Sequence, residues 1–230
     1  MKYMGSKNRI AKDILPIILK DRKEGQWYVE PFCGGCNLID KVTGNRIAND
    51  ANHFLIAMFK ALQDGWIPPK EVTEARYKEV KDTYISNENH IRGYIGFNLS
   101  FGGKFWGGYR RDGEGKRDYG LEAYNNIMKQ VPNIIGINFY SSDYSELSIP
   151  SNSIIYCDPP YKGTTKYESA ILHDRFYDWC RTKKAEGHTI FISEYEMPED
   201  FVCVWQKEQV SSLTQDTGSK RAVEKLFTLP

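Results

Sequence analysis

Short apolar runs alternate with amphipathic segments along this chain, and that alternation most constrains its fold. Six such runs predict strands, at 27–30, 46–49, 137–140, 154–157, 189–193 and 202–209, with a seventh candidate at 223–226. Helical patterns fall between them at 9–20, with a kink expected at Pro16, and at 52–62 and 175–186. Strands that alternate with helices predict an α/β fold with a mostly parallel sheet covered on both faces.

The stretch from 68 to 130 interrupts this rhythm. It is polar and aromatic and carries many glycines around 102–120. We therefore predict a core domain formed by 1–67 and 131–230, with 68–130 as an inserted module of helices and a loop or hairpin. The composition of the insert suits a recognition surface better than a core.

Composition excludes several classes of protein. The longest apolar stretches of the 230 residues fall well short of the roughly 18 needed for a membrane helix, so we expect a soluble cytoplasmic protein. The net charge is only +1, but basic residues concentrate at 1–23 and 104–117, where phosphates could bind. Cys33 and Cys36 form a C-x-x-C without a second close Cys/His pair, so no metal is expected.

The first motif follows the first predicted strand. Glu30-Pro31-Phe32 leads into Cys33-Gly34-Gly35-Cys36, after which we predict a short helix, and the second strand ends at Asn49-Asp50. Glycines let a ligand approach the backbone, and an acid at the end of the second strand can accept both ribose hydroxyls of a nucleoside. The dinucleotide pattern G-x-G-x-x-G is absent, which disfavours NAD, and a simple tight turn stays open as an alternative.

The second motif is Asp158-Pro159-Pro160-Tyr161, directly after the fourth strand. Consecutive prolines stop the sheet ladder and hold the backbone extended. The Asp158 carboxylate and the Pro159 carbonyl can each accept one N–H of an amino group such as N6 of adenine, and Tyr161 can stack on a base flipped out of a duplex. The alternative is a surface turn that uses Asp and Pro only for geometry.

Together these motifs resemble the Dam-type DNA adenine N6-methyltransferases. The residues that carry the resemblance follow the family's order: Tyr3-Met4-Gly5-Ser6-Lys7, Glu30-Pro31-Phe32-Cys33-Gly34-Gly35, Asn49-Asp50-Ala51-Asn52, Asp158-Pro159-Pro160-Tyr161 and Ile192-Ser193-Glu194. The resemblance implies a Rossmann-like methyltransferase fold with a mixed, mostly parallel seven-stranded sheet, and S-adenosylmethionine as cofactor. It gives Ser193 and Glu194 no definite role.

The resemblance also implies the residues of the site. The cofactor would be bound by Tyr3, Met4, Gly5, Ser6, Lys7, Phe32, Cys33, Gly34, Gly35, Asp50, Ala51, Ser142, Asp143, Tyr144 and Asp158. Within that set, Asp50 would hold the ribose and Asp143 the adenine amine. The catalytic residues would be Asp158, Pro159, Pro160 and Tyr161, and the methyl group would move by in-line displacement without a covalent enzyme intermediate.

The insert is the expected contact surface for double-stranded DNA. Its aromatic, glycine and basic residues suit phosphate contacts, base contacts and stacking. The expected DNA-binding residues are Lys104, Tyr109, Arg110, Arg111, Lys116 and Arg117. Two other hypotheses remain: methylation of RNA adenine or protein glutamine, and a DNA-binding relative without activity. The chain is expected to act as a monomer in a bacterial or phage-infected cell.

Overall fold

A computed structural model describes residues 1–161, 172–210 and 221–230. Seven strands form one sheet in the order β3-β2-β1-β4-β5-β7-β6. The strands are β1 (Tyr28–Glu30), β2 (Arg46–Asn49), β3 (Ile137–Tyr140), β4 (Ile154–Cys157), β5 (Thr189–Glu194), β6 (Val202–Val210) and β7 (Arg221–Thr228). β2 pairs with β3, and β1 and β5 pair with β4, all in parallel, whereas β7 runs antiparallel to β5 and β6.

Six α-helices occur in the described residues. They are α1 (Ala11–Ile18), α2 (His53–Gln63), α3 (Glu74–Asp82), α4 (Asn89–Asn98), α5 (Tyr119–Ile134) and α6 (His173–Ala185). The predicted mixed, mostly parallel seven-stranded sheet is confirmed, as are all seven predicted strands. One local prediction is wrong: a turn and a single 3₁₀ turn at Ile39–Lys41 replace the short helix expected after Gly35. Gly34 and Cys36 both have a positive φ there, which an α-helix does not tolerate.

The chain divides into two compact units. The first contains residues 1–11 and 33–147, and therefore β2, β3 and helices α2 to α5. Its core includes Phe59 of α2, whose ring stacks on Phe139 of β3 with centroids 5.3 Å apart. The buried guanidinium of Arg46 donates to the carbonyls of Asn133 and Ile135, both at 2.7 Å, and so ties β2 to the end of α5. The predicted insert, 68–130, lies wholly within this unit.

The second unit contains residues 12–32 and 148–230. Its strands β1, β4 and β5 are parallel, so their carboxyl ends lie at one edge of the sheet. β4 is buried along its whole length, which explains why it appears in the sequence as an unbroken apolar run. Phe176 of α6 is fully buried, and the ring of Phe32 meets it edge-on at 5.7 Å.

Candidate active site

The loop after β1 is anchored by the carboxylate of Asp50. This loop, Cys33-Gly34-Gly35-Cys36, is called the glycine loop below. Asp50 accepts hydrogen bonds from the backbone N–H of Gly34 at 3.0 Å and of Asn52 at 2.9 Å. The amide of Cys33 donates to the carbonyl of Asn49 at 2.8 Å. The spacing between Gly34 and Asp50 in the sequence therefore corresponds to a direct contact in the first unit.

Tyr3 packs directly on the glycine loop. A Cβ atom on Gly34 would lie 2.6 Å from the Tyr3 ring, and one on Gly35 would lie 2.7 Å from the Tyr3 Cβ. Gly103 of the insert packs equally closely against the backbone of Tyr3, since a Cβ atom on Gly103 would lie 2.8 Å from the Tyr3 nitrogen. Both Gly34 and Gly103 have a positive φ. Any larger residue at these two positions would displace Tyr3 and strain the backbone.

The remaining residues of the Tyr3-to-Lys7 segment lie close by in the chain. The amide of Met4 donates to the Gly103 carbonyl at 3.4 Å, and Ser6 caps a 3₁₀ turn that begins at Lys7. Lys7 is buried, and its ammonium donates to the Gly5 carbonyl at 3.1 Å. The structure thus brings Tyr3, the glycine loop and Asp50 together in the first unit.

Asp50 suits a nucleoside ligand. Burial raises the pKa of its carboxyl group, while the hydrogen bonds from Asn52 and Gly34 oppose that rise. Each carboxylate oxygen accepts one backbone N–H, and each keeps a second lone pair that can accept a hydroxyl. A glycine-lined backbone beside such an acid fits the ribose and methionine parts of S-adenosylmethionine. Ala51, the next residue, is exposed.

The end of β3 is held in place by Asn49. Its side-chain oxygen accepts the Ser142 amide at 3.1 Å, and its side-chain nitrogen donates to the Ser142 carbonyl at 3.0 Å. Asp143 follows in an exposed position and caps the 3₁₀ turn Tyr144–Glu146, and Tyr144 itself is buried. Because β2 and β3 are parallel, Asp50 and Asp143 both follow strands that end at the same edge. This shared edge is where α/β sheets bind ligands.

Asp158-Pro159-Pro160-Tyr161, called the amine motif below, leaves the carboxyl end of β4 in the second unit. Pro159 is buried, while Asp158, Pro160 and Tyr161 are half-buried. The motif has no regular secondary structure, as expected for consecutive prolines after a strand. The two prolines make the backbone of the motif stiff.

Tyr161 is fixed at its hydroxyl and at its ring. The hydroxyl donates to the carboxylate of Glu224 on β7 at 2.9 Å. The ring meets that of Tyr195 nearly at right angles, 84°, with centroids 4.6 Å apart. Burial, together with the negative charges of Asp158 and Glu224, raises the pKa of Tyr161 well above its usual value. The phenol is therefore neutral at physiological pH and acts as a hydrogen-bond donor.

Ser193 and Glu194, for which the sequence suggested no role, are both buried at the end of β5. The Ser193 hydroxyl forms a hydrogen bond of 2.7 Å with that of Tyr156 on β4. The carboxylate of Glu194 accepts the amide of Tyr195 at 2.7 Å. These contacts join β4 to β5 and hold the start of the segment that carries the Tyr195 ring.

Comparison with known proteins finds a family whose model matches part of the chain. The model for the D12 class N6 adenine-specific DNA methyltransferases matches residues 3–105, which is less than half of the 230 residues. The matched part contains Tyr3, the glycine loop and Asp50, and it ends before the amine motif.

The chain is also similar to individual known proteins. It is 24% identical over 211 residues to the modification methylase StsI of Streptococcus sanguinis, a match that covers 80% of this chain and 31% of that protein. Two solved structures are also similar. TrmN from Thermus thermophilus is 11% identical with a TM-score of 0.39, and the match covers 97% of this chain and 49% of that chain. SMU.472, described as a putative methyltransferase complexed with SAH, is 14% identical with a TM-score of 0.42, and the match covers 98% of this chain and 52% of that chain.

The insert presents only some of its expected DNA-binding residues to solvent. Lys104, Arg111, Lys116 and Arg117 are exposed. The hydrogen bond from Arg111 lowers the pKa of Glu74 to about 2, so this surface ion pair is fully ionised at neutral pH. Exposed ion pairs of this kind are weak because solvent and salt screen them, so Arg111 can exchange Glu74 for a phosphate at small cost.

Arg110 and Tyr109 instead take part in internal contacts. The guanidinium of Arg110 lies 4.0 Å from the ring centroid of Tyr119 and 3.3 Å from the carboxylate of Glu122. Its side chain is only 7% exposed. The Tyr109 hydroxyl donates to the Val72 carbonyl at 2.6 Å. In this arrangement both residues support the shape of the insert.

Arg110→Ala should therefore lower the free energy of unfolding by about 2 kcal/mol, because it removes a desolvated cation from the Tyr119 ring, while Glu122 keeps its ion pair with Lys2 at 2.6 Å. Thermal and urea unfolding would measure this loss. Arg117→Ala is the matched control, since that side chain is exposed and should change stability by less than about 0.5 kcal/mol. Equal stabilities for the two variants would contradict the structural role of Arg110.

Sequence reasoning missed three residues, two in the first unit and one in the second. Asn49 was seen only as part of a motif, although its amide orders the end of β3. Glu224 lies 63 residues after Tyr161, a separation that no local pattern could connect. Phe101 is a large aromatic residue of the insert that is 73% exposed, on a turn closed by a hydrogen bond from its own amide to Gly108. An exposed aromatic beside Lys104 in a glycine-rich loop was the available clue.

Two further observations concern metal ligands and membrane spans in the described residues. In residues 1–161, 172–210 and 221–230, no group of three or more His, Cys, Asp or Glu side chains could hold a metal ion. Within that same part of the chain, each helix is too short or too polar to cross a membrane.

Proposed function

We propose that this chain transfers a methyl group from S-adenosylmethionine to N6 of adenine in double-stranded DNA. The observation that carries the proposal is the amine motif at the end of β4, in a chain whose residues 3–105 match an adenine-specific family. An Asp in the first position of the motif favours adenine. An insert with exposed basic and aromatic side chains favours DNA.

The first unit would bind the cofactor. Asp50 would accept the ribose hydroxyls, Asp143 the amine of the cofactor's adenine, and Tyr3 with the glycine loop would line its methionine part. When bound, S-adenosylmethionine supplies a methyl group that its sulfonium charge has already activated. The protein therefore needs no nucleophile of its own, and none of the buried cysteines has to react.

The amine motif would hold the acceptor. Asp158 and the Pro159 carbonyl would each accept a hydrogen bond from one N6 N–H, which raises electron density on the nitrogen and favours a tetrahedral geometry at N6. As the N–C bond forms, the C–S bond of the cofactor would break to leave S-adenosylhomocysteine, and the methylated nitrogen would then release one proton to solvent. Tyr161 would stack on the flipped adenine and offset the few kcal/mol that unstacking costs. Alignment of the amine is the main catalytic term, since orientation alone contributes about 7–11 kcal/mol in well-aligned reactions.

The insert would contact the duplex. Lys104, Arg111, Lys116 and Arg117 are exposed and available for phosphates, and Phe101 offers an apolar ring for stacking or insertion between bases. Because phosphate contacts release counterions, binding should weaken steeply as salt is raised.

The decisive experiment expresses the chain in cells that lack N6-methyladenine and sequences their DNA for the modification. We expect methylated adenines at one short recognition sequence, with GATC as a candidate, and none with an empty vector. Purified protein is then offered tritiated cofactor with DNA, RNA or a glutamine-containing protein. Label in RNA or protein but not DNA would overturn the choice of substrate. Cofactor binding without transfer to any acceptor would favour an inert DNA-binding relative.

A further inference from the structure

Glu224 has a contact that the proposed mechanism does not use. It lies on β7, and its carboxylate accepts the Tyr161 hydroxyl at 2.9 Å. β7 pairs with β5, with Lys225 opposite Glu194. The amine motif starts at the end of β4, and β5 lies between β4 and β7 in the sheet. The Tyr161 hydroxyl is therefore hydrogen-bonded to a strand that is not a neighbour of β4.

Tyr195 constrains the same ring from a second direction. Its ring meets that of Tyr161 in a T-shaped contact with centroids 4.6 Å apart. Tyr195 directly follows β5, and its amide donates to the buried carboxylate of Glu194. T-shaped pairs are directional, so this contact favours one plane for the Tyr161 ring. The backbone before Tyr161 is already stiff because two prolines precede it.

These contacts restrict both side-chain torsions of Tyr161. A free tyrosine must lose that rotational freedom when it stacks on a base, and the loss reduces affinity by about 0.5–1.5 kcal/mol for each immobilised side chain. Here the hydrogen bond to Glu224 and the ring contact with Tyr195 restrict the ring within the protein itself. A phenol that donates to a carboxylate is also held more strongly than one that donates to a neutral group. Such a ring presents a fixed surface to a flipped base.

We infer that Glu224 is a positioning residue, which holds the Tyr161 ring in the orientation that stacks on the target adenine. The inference rests on the proposed function. Glu224 touches no reacting atom in this account and acts only through Tyr161. Its loss should therefore slow the methyl-transfer step and base flipping, while affinity for the duplex, which comes from the insert, stays nearly unchanged.

A double-mutant cycle tests this with Glu224→Ala, Tyr161→Phe and the double variant. Each single change removes the same hydrogen bond, so each should slow single-turnover methyl transfer about tenfold, a modest value for a bond to a charged group. The double variant should be no slower than either single one. DNA affinity should change less than about twofold in all three, since the insert contacts are intact. If the fold loss of rate in the double variant equals the product of the two single losses, the inference is wrong.

Two more readouts separate positioning from simple loss of structure. With 2-aminopurine in place of the target adenine, Glu224→Ala should reduce the fluorescence rise that reports flipping. Glu224→Gln keeps an acceptor oxygen and should restore the rate to within about threefold of the wild type. Glu208→Gln on β6 is the matched control, because it removes an exposed glutamate from the neighbouring strand and should leave rate and flipping unchanged. If Glu224→Ala flips and transfers at the wild-type rate, Glu224 has no positioning role.

A separate measurement needs neither DNA nor activity. With tyrosines labelled at 13Cζ, the Tyr161 signal is the one that disappears in Tyr161→Phe. We expect that signal to shift in Glu224→Ala and the remaining tyrosine signals to stay. An unshifted signal would show that the hydrogen bond is not formed. A wild-type protein that shows the expected shift but methylates no DNA would instead refute the proposed function alone.

Discussion

Asp158→Ala should abolish methyl transfer to DNA, with a loss of about a thousandfold or more, comparable to the removal of one preorganised polar group from an active site. Asp158 is half-buried at the end of β4, where its carboxylate would accept one of the two N6 protons. Without it the amine is neither aligned nor kept electron-rich. The measurement is single-turnover transfer of labelled methyl groups to DNA that contains the recognition sequence.

Two further variants make this result specific. Asp158→Asn keeps one acceptor oxygen without the charge, so it should retain more activity than the alanine variant. Asp174→Ala removes an exposed carboxylate from the first turn of α6 and should transfer at the wild-type rate. Unfolding temperatures should stay close to that of the wild type in all three. Near-normal turnover in Asp158→Ala would show that Asp158 does not hold the acceptor amine, and the proposed amine site would be wrong.

The strands could be predicted from the sequence because a parallel sheet buries both of its faces. β2, β3 and β4 begin and end at the predicted residues, and β2 and β4 are buried along their whole lengths, whereas β3 is exposed at alternate residues. β7 is longer than predicted, because the apolar pattern covers only its middle while its hydrogen bonds continue to Arg221 and Thr228. The helix expected at 9–20 is shorter, Ala11–Ile18, and a 3₁₀ turn precedes it.

Some contacts in the first unit could also be predicted from the sequence, and others could not. Asp50 and Gly34 were associated correctly, because both follow strands and a ligand-binding edge brings such residues together. The contact of Gly103 with Tyr3 depends on how the insert folds back on the start of the chain, which no local pattern encodes. Arg110 and Arg111 are adjacent in sequence, yet one is buried and the other exposed. Only the packing of Tyr119 and Glu122 decides between them.

The family match and the amine motif cover different parts of the chain. Residues 3–105 match the model of an adenine-specific DNA methyltransferase family, and within the first unit they include the acid and glycines that suit a nucleoside. In the proposed function, the amine motif, which the match does not reach, would supply the chemistry that distinguishes methyl transfer from binding alone. The two parts can be tested independently, because cofactor binding and methyl transfer are separate measurements.

Asp50→Ala should therefore weaken cofactor binding without altering the amine motif. The variant loses the carboxylate that would accept two ribose hydroxyls and leaves the amides of Gly34 and Asn52 unpaired, so we expect affinity for S-adenosylmethionine to fall about a hundredfold. Isothermal titration with S-adenosylhomocysteine, which does not react, measures the change directly. Burial raises the pKa of Asp50, so its ionised form opposes folding at neutral pH and partly offsets the stability lost with its hydrogen bonds.

The pH dependence provides a second test of Asp50. Since the carboxylate accepts hydroxyls only when ionised, affinity should decline on acidification at a pH above the usual range for an aspartate, as the raised pKa requires. This dependence should be absent from Asp50→Asn, which cannot titrate. Asp64→Ala, at the exposed end of α2, is the control and should bind like the wild type. Full affinity for the cofactor in Asp50→Ala would show that Asp50 does not bind the cofactor, independently of the result for Asp158.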